Sequence, residues 1–239
     1  AANQPLAFLD HHLKEGNSLV GSDITEVLSD DTKSDDGQLT LTQAFARVRQ
    51  DTLEYVMELM ADLLAFDNET LDEIKSMEEL YDEIRDDPLY QRLFELANVH
   101  TAGEFGVDIP EDAYERMAGA IEDEDDWAEI EEADWFINAQ EVAEEQDFFH
   151  WELEYLEVFF DNHGEKLAGA GFDAVVGNPP WVNAWQMTES DTGGSLRDGI
   201  KGTNPFPEVL EGHWDLYVPF LLKSYDLVRN EGHLSFIIP

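Results

Sequence analysis

Residues 172–181 read Phe-Asp-Ala-Val-Val-Gly-Asn-Pro-Pro-Trp, and this junction constrains the fold more than any other stretch of the chain. A short apolar run with β-branched residues ends on Gly177, the pattern of a buried strand. Pro179 and Pro180 fix φ and push the residues before them into extended geometry. The carboxamide of Asn178 and the ring of Trp181 are therefore predicted to stand rigidly at the carboxyl end of a strand. Open α/β sheets bind their ligands at that end. Asn-Pro also opens ordinary turns and Pro-Pro stiffens ordinary loops, so the meaning of the motif rests on its surroundings.

Those surroundings read as a parallel α/β unit. Residues 183–212 hold many Gly, Ser, Thr and Asn residues and are predicted to form a long loop beside the motif. Trp214 to about Arg229 has the pattern of an amphipathic helix, with Trp214 and Phe220 on its core side. Asn230-Glu231-Gly232 reads as its C-terminal turn, and Leu234–Ile238 as a second buried strand. Strand, loop, helix, strand is the order of a parallel crossover.

Upstream the period changes. From Leu41 the apolar residues Phe45, Val48, Val56, Leu59, Met60, Leu63 and Leu64 recur at helical spacing, with Thr40 or Thr42 as a cap. A second helix is predicted over 69–85, broken at Asp86-Asp87-Pro88, and shorter ones over 89–98, 110–121 and 127–147. Residues 148–160 partly alternate apolar with acidic, which suits either an exposed strand or the start of a helix. Residues 29–38 are polar and aperiodic, a surface linker. Before them, residues 5–28 read as a helix end or short strand followed by a Gly16-Asn17-Ser18 turn. These features predict part of an α/β core over 1–38, an all-helical insertion over 39–150, and the rest of the core over 151–239.

Composition narrows the chemistry. The 239 residues are 43% hydrophobic and include no cysteine. A packed core is affordable, while disulfides, thiolate metal sites and cysteine nucleophiles are excluded. No apolar stretch approaches the ~20 residues of a membrane helix, and no signal peptide opens the chain; a cytoplasmic location and no membrane partner are the expectation. His11 and His12 are adjacent and point apart, so surface histidines are expected rather than a metal pair. Glu122-Asp123-Glu124-Asp125-Asp126 lacks the glycine and alternation of a calcium loop and reads as a solvated face. The charge is extreme, with 13 basic against 55 acidic residues and a net of −42. One reading is a surface that imitates DNA. The other is adaptation to high internal salt, favoured because the acid is spread along the chain; at molar salt the Debye length falls to about 3 Å. The start at Ala-Ala-Asn and the stop just after a strand suggest an internal piece of a longer protein.

Four segments in order carry a resemblance: Phe-His-Trp-Glu-Leu-Glu at 149–154, Gly-Phe-Asp-Ala-Val-Val-Gly-Asn-Pro-Pro-Trp at 171–181, Trp-Asp-Leu-Tyr-Val-Pro-Phe at 214–220, and Glu-Gly-His-Leu-Ser-Phe-Ile-Ile-Pro at 231–239. Together they resemble the adenine-specific DNA methyltransferases, most of all the large enzymes of restriction–modification and phage-defence systems. Phe-Leu-Asp-His-His-Leu-Lys-Glu-Gly-Asn-Ser-Leu-Val-Gly at 8–21 resembles the segment that follows the cofactor-binding strands there. The resemblance covers 5–22 and 148–239 and leaves out the helical block.

It implies a Rossmann-like core that binds S-adenosyl-L-methionine, with double-stranded DNA as partner. By the same resemblance, the side-chain oxygen of Asn178 and the backbone carbonyl of Pro179 accept hydrogen bonds from the target amine. Pro180 stiffens the loop, and Trp181, where most relatives carry Tyr or Phe, stacks on a flipped base. Asn17 corresponds to a residue contacting the cofactor's adenine, although Gly-Asn-Ser is equally an ordinary turn. Asp215 and Tyr217 lie in a matching segment, where Asp215 also suits a helix cap. The family's glycine-rich cofactor loop has no counterpart here, so weak cofactor binding is expected of this stretch alone. The same motif chemistry also serves enzymes that methylate protein glutamine or RNA guanine. A dead methyltransferase remnant acting as an acidic DNA mimic or scaffold is the alternative from another class.

Overall fold

The structure is a computed structural model, and it describes residues 12–27, 51–63, 65, 70–183 and 193–238. The expected linker at 29–38, the boundary at 38–39, the caps Thr40 and Thr42, and His11 lie outside the described residues.

The helices come first in the chain. They are α1 (Ile24–Val27), α2 (described over 51–63), α3 (Leu71–Asp86), α4 (Pro88–Glu104), α5 (Ala113–Ala120), α6 (Glu124–Glu131) and α7 (Asp134–Glu145), then the single turns α8 (Trp151–Glu154) and α9 (Leu156–Phe159). Thr70 begins α3 with a capping box: its hydroxyl accepts from the Glu73 N–H, and the Glu73 carboxylate accepts from the Thr70 N–H. Asp87 terminates α3 in extended geometry because Pro88 follows. Its side chain then caps α4, accepting from the Tyr90 N–H at 2.8 Å. One Asp-Pro pair thus ends one helix and starts the next.

The α4 helix is the hub, packing on α1, α3 and α7 and on the later helix Gly193–Gly202. Leu93, Leu96, Ala97, Val99 and Ala102 on it are buried. It runs a turn and a half past the predicted 98, because apolar and small residues continue through Ala102. The helix predicted over 127–147 is two, α6 and α7, separated at Glu132–Ala133. The undecided stretch 148–160 resolves into α8 and α9, since Leu153, Leu156 and Phe159 are buried at helical spacing.

The α/β part holds β1 (Phe172–Gly177) and β2 (Val228–Phe236), paired in parallel and joined through α10 (Gly193–Gly202), a 3-10 turn (Pro207–Leu210) and α11 (Tyr217–Leu227). The long loop expected over 183–212 therefore contains a helix and a helical turn in its described part. Leu196 and Ile200 on α10 and Leu210 pack with Leu19, Val20 and Trp214 in a second apolar cluster, and Phe220 packs against it. The expected turn Asn230-Glu231-Gly232 does not end the helix. The register passes from Phe172↔Val228 to Ala174↔His233, so β2 spends five residues where β1 spends two. Glu231, at φ 64°, lies in that break. Gly171 stands at the same junction with φ 136°, where a Cβ would come within 2.7 Å of Leu227 O and Arg229 N.

Neither strand is fully buried, contrary to the reading of their apolar runs. Val176 is 79% exposed and Leu234 39%, because among the described residues α11 packs on the two strands and nothing covers Val176. The helical block and the α/β part are joined by one core. It runs from α2, α3 and α4 through α5–α7 to Leu153, Leu156, Phe159, Phe160 and Leu227, with Trp151 and Phe172 packed against it.

Candidate functional site at the carboxyl end of β1

The Asn-Pro-Pro-Trp loop leaves β1 where the pairing of the two strands ends. Asn178 and Pro180 are exposed and Pro179 is buried. The Ile237 N–H donates to Gly177 O at 3.2 Å, and the Trp181 indole N–H reaches Ile237 O at 3.4 Å. One residue just beyond β2 thus holds both the end of β1 and the aromatic ring, and Trp181 keeps 59% exposure. The loop then turns back to the start of α11. Leu216 N–H donates to Val182 O at 2.7 Å, and Asn183 Nδ2 donates to Asp215 Oδ1 at 2.8 Å. Asp215 is therefore a loop anchor. It does not cap α11, whose N-cap position is Leu216. Asn183 was not singled out by sequence, since nothing local distinguishes it from the other polar residues of the loop.

A cavity of about 290 Å³ opens beside this loop. Its walls are Phe172 and the residues from Ala174 to Gly177 of β1, Phe236 of β2, Phe220, Lys223, Ser224 and Leu227 of α11, Trp151, and Ser18 with Leu19. The last two belong to the segment holding Asn17. There Asn17 N–H donates to Asp147 O at 2.6 Å and Phe149 N–H to Val20 O at 2.8 Å. The Asn17 side-chain oxygen accepts from the Leu19 N–H at 3.3 Å, the geometry of a side-chain-closed turn. Asn17 is not among the residues lining the cavity, so the structure brings its neighbours, rather than its carboxamide, to the wall. Gly21 lets the two segments touch: a Cβ there would lie 2.0 Å from Phe149 O. The Trp151 indole N–H then donates to Ser18 O at 3.0 Å.

A smaller polar cavity, about 110 Å³, lies on the other side of Lys223, between Gly21–Asp23, His100, Glu104, the Gly202–Pro205 turn and Asp226. Lys223 is buried and 3.9 Å from Asp23. Burial holds Asp226 above the ordinary carboxylate range, with Lys223 pulling the other way and Asp23 raising it further. Among the described residues no group of three His, Asp or Glu side chains is arranged to hold a metal. The acidic run 122–126 is exposed, the solvated face expected of it, and Asp123 in addition caps α6 by accepting from the Asp125 and Asp126 N–H groups. No helix of the described residues is long and apolar enough to cross a membrane.

The profile of the Eco57I restriction-modification methylase family matches residues 104–239. The match takes in α5–α7 as well as the α/β part. A putative type II restriction enzyme and methyltransferase of Methanocaldococcus jannaschii is 33% identical over 91 residues, 38% of this chain and 6% of that protein's length. No solved structure matches. The family match spans more than half of the chain and includes the strand, the Asn-Pro-Pro-Trp loop and the crossover just described; this chain belongs to the Eco57I restriction-modification methylase family.

Proposed function

We propose that the chain supplies the methyl-acceptor side of a DNA methyltransferase active site in a restriction–modification or phage-defence system. The reaction moves a methyl group from S-adenosyl-L-methionine to the exocyclic nitrogen of an adenine flipped out of duplex DNA. The observation that carries this reading is the exposure of Asn178 and Trp181 at the carboxyl end of β1, on a loop stiffened by Pro179 and Pro180.

The chemistry explains the residue types. An exocyclic amine conjugated to a ring is a poor nucleophile because its lone pair is delocalised. Two acceptors, the Asn178 side-chain oxygen and the Pro179 carbonyl, draw the amine hydrogens out of the ring plane and stabilise the positive charge that develops on nitrogen. The prolines keep both acceptors in place before the substrate arrives. Trp181, tied to Ile237, offers a flat face for the base.

When bound, S-adenosyl-L-methionine supplies an electrophilic methyl sulfonium. The apolar, aromatic walls of the 290 Å³ cavity suit a ring. They offer no carboxylate for ribose hydroxyls, and their one charged group, Lys223, opposes a sulfonium. The residues around the cavity do not fit the whole cofactor, and its polar end is assigned to further parts of a longer polypeptide. We read the net charge of −42 as a halophilic adaptation. Screening at molar salt then removes the conflict with a DNA substrate, in the cytoplasm of such a cell.

The test is methyl transfer from labelled S-adenosyl-L-methionine by the full-length protein in concentrated potassium chloride. Methyladenine in duplex DNA, falling by roughly 100-fold or more in Asn178→Ala, is the expected outcome. Transfer that ignores the substitution would place the site elsewhere. Product on glutamine or RNA would keep the chemistry and replace the substrate.

A further inference from the structure

One polar network, partly buried, lies away from the Asn-Pro-Pro-Trp loop. Its centre is the His150 ring, 1% exposed. The Ser22 N–H donates to His150 Nδ1 at 3.1 Å, which puts the ring hydrogen on Nε2, facing Asn98 Oδ1 at 2.8 Å. Asn98 Nδ2 donates to Gln140 Oε1 at 2.7 Å, and Gln140 Nε2 to the Glu95 carbonyl at 3.1 Å. Ser22 Oγ lies 2.8 Å from both His100 Nδ1 and Thr101 Oγ1. Helices α4 and α7 are thus joined through one imidazole to the backbone of Ser22. Four residues earlier the same segment forms a wall of the cavity, with Ser18 and Leu19.

We propose that His150 is a positioning residue: it fixes the Ser18–Ser22 wall of the cavity beside the Asn-Pro-Pro-Trp loop, and so makes the helical block part of the support of the site. The consequence for donor binding rests on the function proposed above. A neutral imidazole suits the task because it accepts at one nitrogen and donates at the other across a rigid ring. Phenylalanine fills a similar space and satisfies neither partner. Glutamine has both an acceptor and a donor at its end. The position acts on a wall rather than on the reacting atoms, so its loss belongs in binding of the methyl donor and not in the chemical step.

The experiment uses the full-length protein as wild type, His150→Phe and His150→Gln. It reads steady-state methyl transfer and amide hydrogen exchange of residues 17–22 and 113–145. In His150→Phe we expect roughly tenfold faster exchange at 17–22 with 113–145 unchanged, and KM for the donor up about tenfold with kcat within about twofold. His150→Gln restores most of both. Unchanged exchange at 17–22 overturns the proposal, as does a fall in kcat at constant KM or faster exchange spread evenly over both segments. If the wild type transfers no methyl group, the functional reading fails, and the exchange data alone decide the positioning claim. Should His150→Phe not fold, Asn98→Ser loosens the ring from its other side and is read at 17–22 against 113–131, because it also releases Gln140 of α7.

Discussion

Single residues in this chain act through what buries them. Burial pushes His150 down to about 4, and the Ser22 N–H directed at Nδ1 leaves no room there for a proton. Glu95 moves the other way: burial raises it to about 7, against the Trp127 indole hydrogen bond, which lowers it. The two have opposite consequences for stability. His150 is neutral in the fold and protonates near 6.5 when unfolded, so its contribution is complete above 6.5 and is lost as pH falls towards 4. Glu95 titrates near 4.5 unfolded, so its contribution is complete below 4.5 and is lost as pH rises through 7. Glu95→Gln, which keeps an acceptor for Trp127, is therefore expected to raise stability at pH 8 relative to wild type and to do little at pH 5. Urea unfolding at the two values checks this; an equal shift at both would show that Glu95 is not protonated on folding. Neither role was legible in sequence. Glu95 is one of 55 acids, and only Trp127, 32 positions away, distinguishes it.

Elements were readable where the chain carries its own punctuation. Phe172–Gly177 is the strand that the apolar run and its glycine predict, and Asp87-Pro88 divides α3 from α4 as expected. The elements misread are those whose residues answer to distant partners. The Asn230-Glu231-Gly232 turn signal is real, but pairing with β1 draws the backbone on into a strand and leaves the turn as a break in register. Helix α10 lies in a stretch rich in Gly and Ser; Ile200 buried against Leu19, Val20 and Trp214 holds it, a contact no local pattern announces. Gly171 tests the register directly. Gly171→Ala is expected to cost about 2–3 kcal/mol, since backbone atoms from two residues block the Cβ. Gly169 also has a positive φ but has nothing within 4 Å of a built Cβ, so Gly169→Ala is expected to cost only about 1 kcal/mol. Equal losses in denaturant unfolding would mean that the close approach at Gly171 is relieved.

At the scale of the whole molecule, a net charge of −42 works against a compact state through self-repulsion. The Debye length falls from about 10 Å at 0.1 M salt to about 3 Å at 1 M. The melting temperature is therefore expected to rise steeply with potassium chloride over that range and then flatten. A thermal scan that is flat in salt would show that the acids are paired or too far apart to matter. The sequence by itself determined what is local: the strand and its rigid Asn-Pro-Pro-Trp end, the helical block, and the cap and stop signals, because turn chemistry and periodicity act over a few residues. The tertiary structure alone decided that Gly16–Ser22 and 147–151 lie together, that Ser18 and Leu19 wall a cavity under β1, and that the helical block shares a core with the strands. The first two join positions more than a hundred residues apart, the third sets Trp151, Tyr155 and Phe159 against Phe172, and the hydrogen bonds and close packing that select them exist only once the chain has closed on itself.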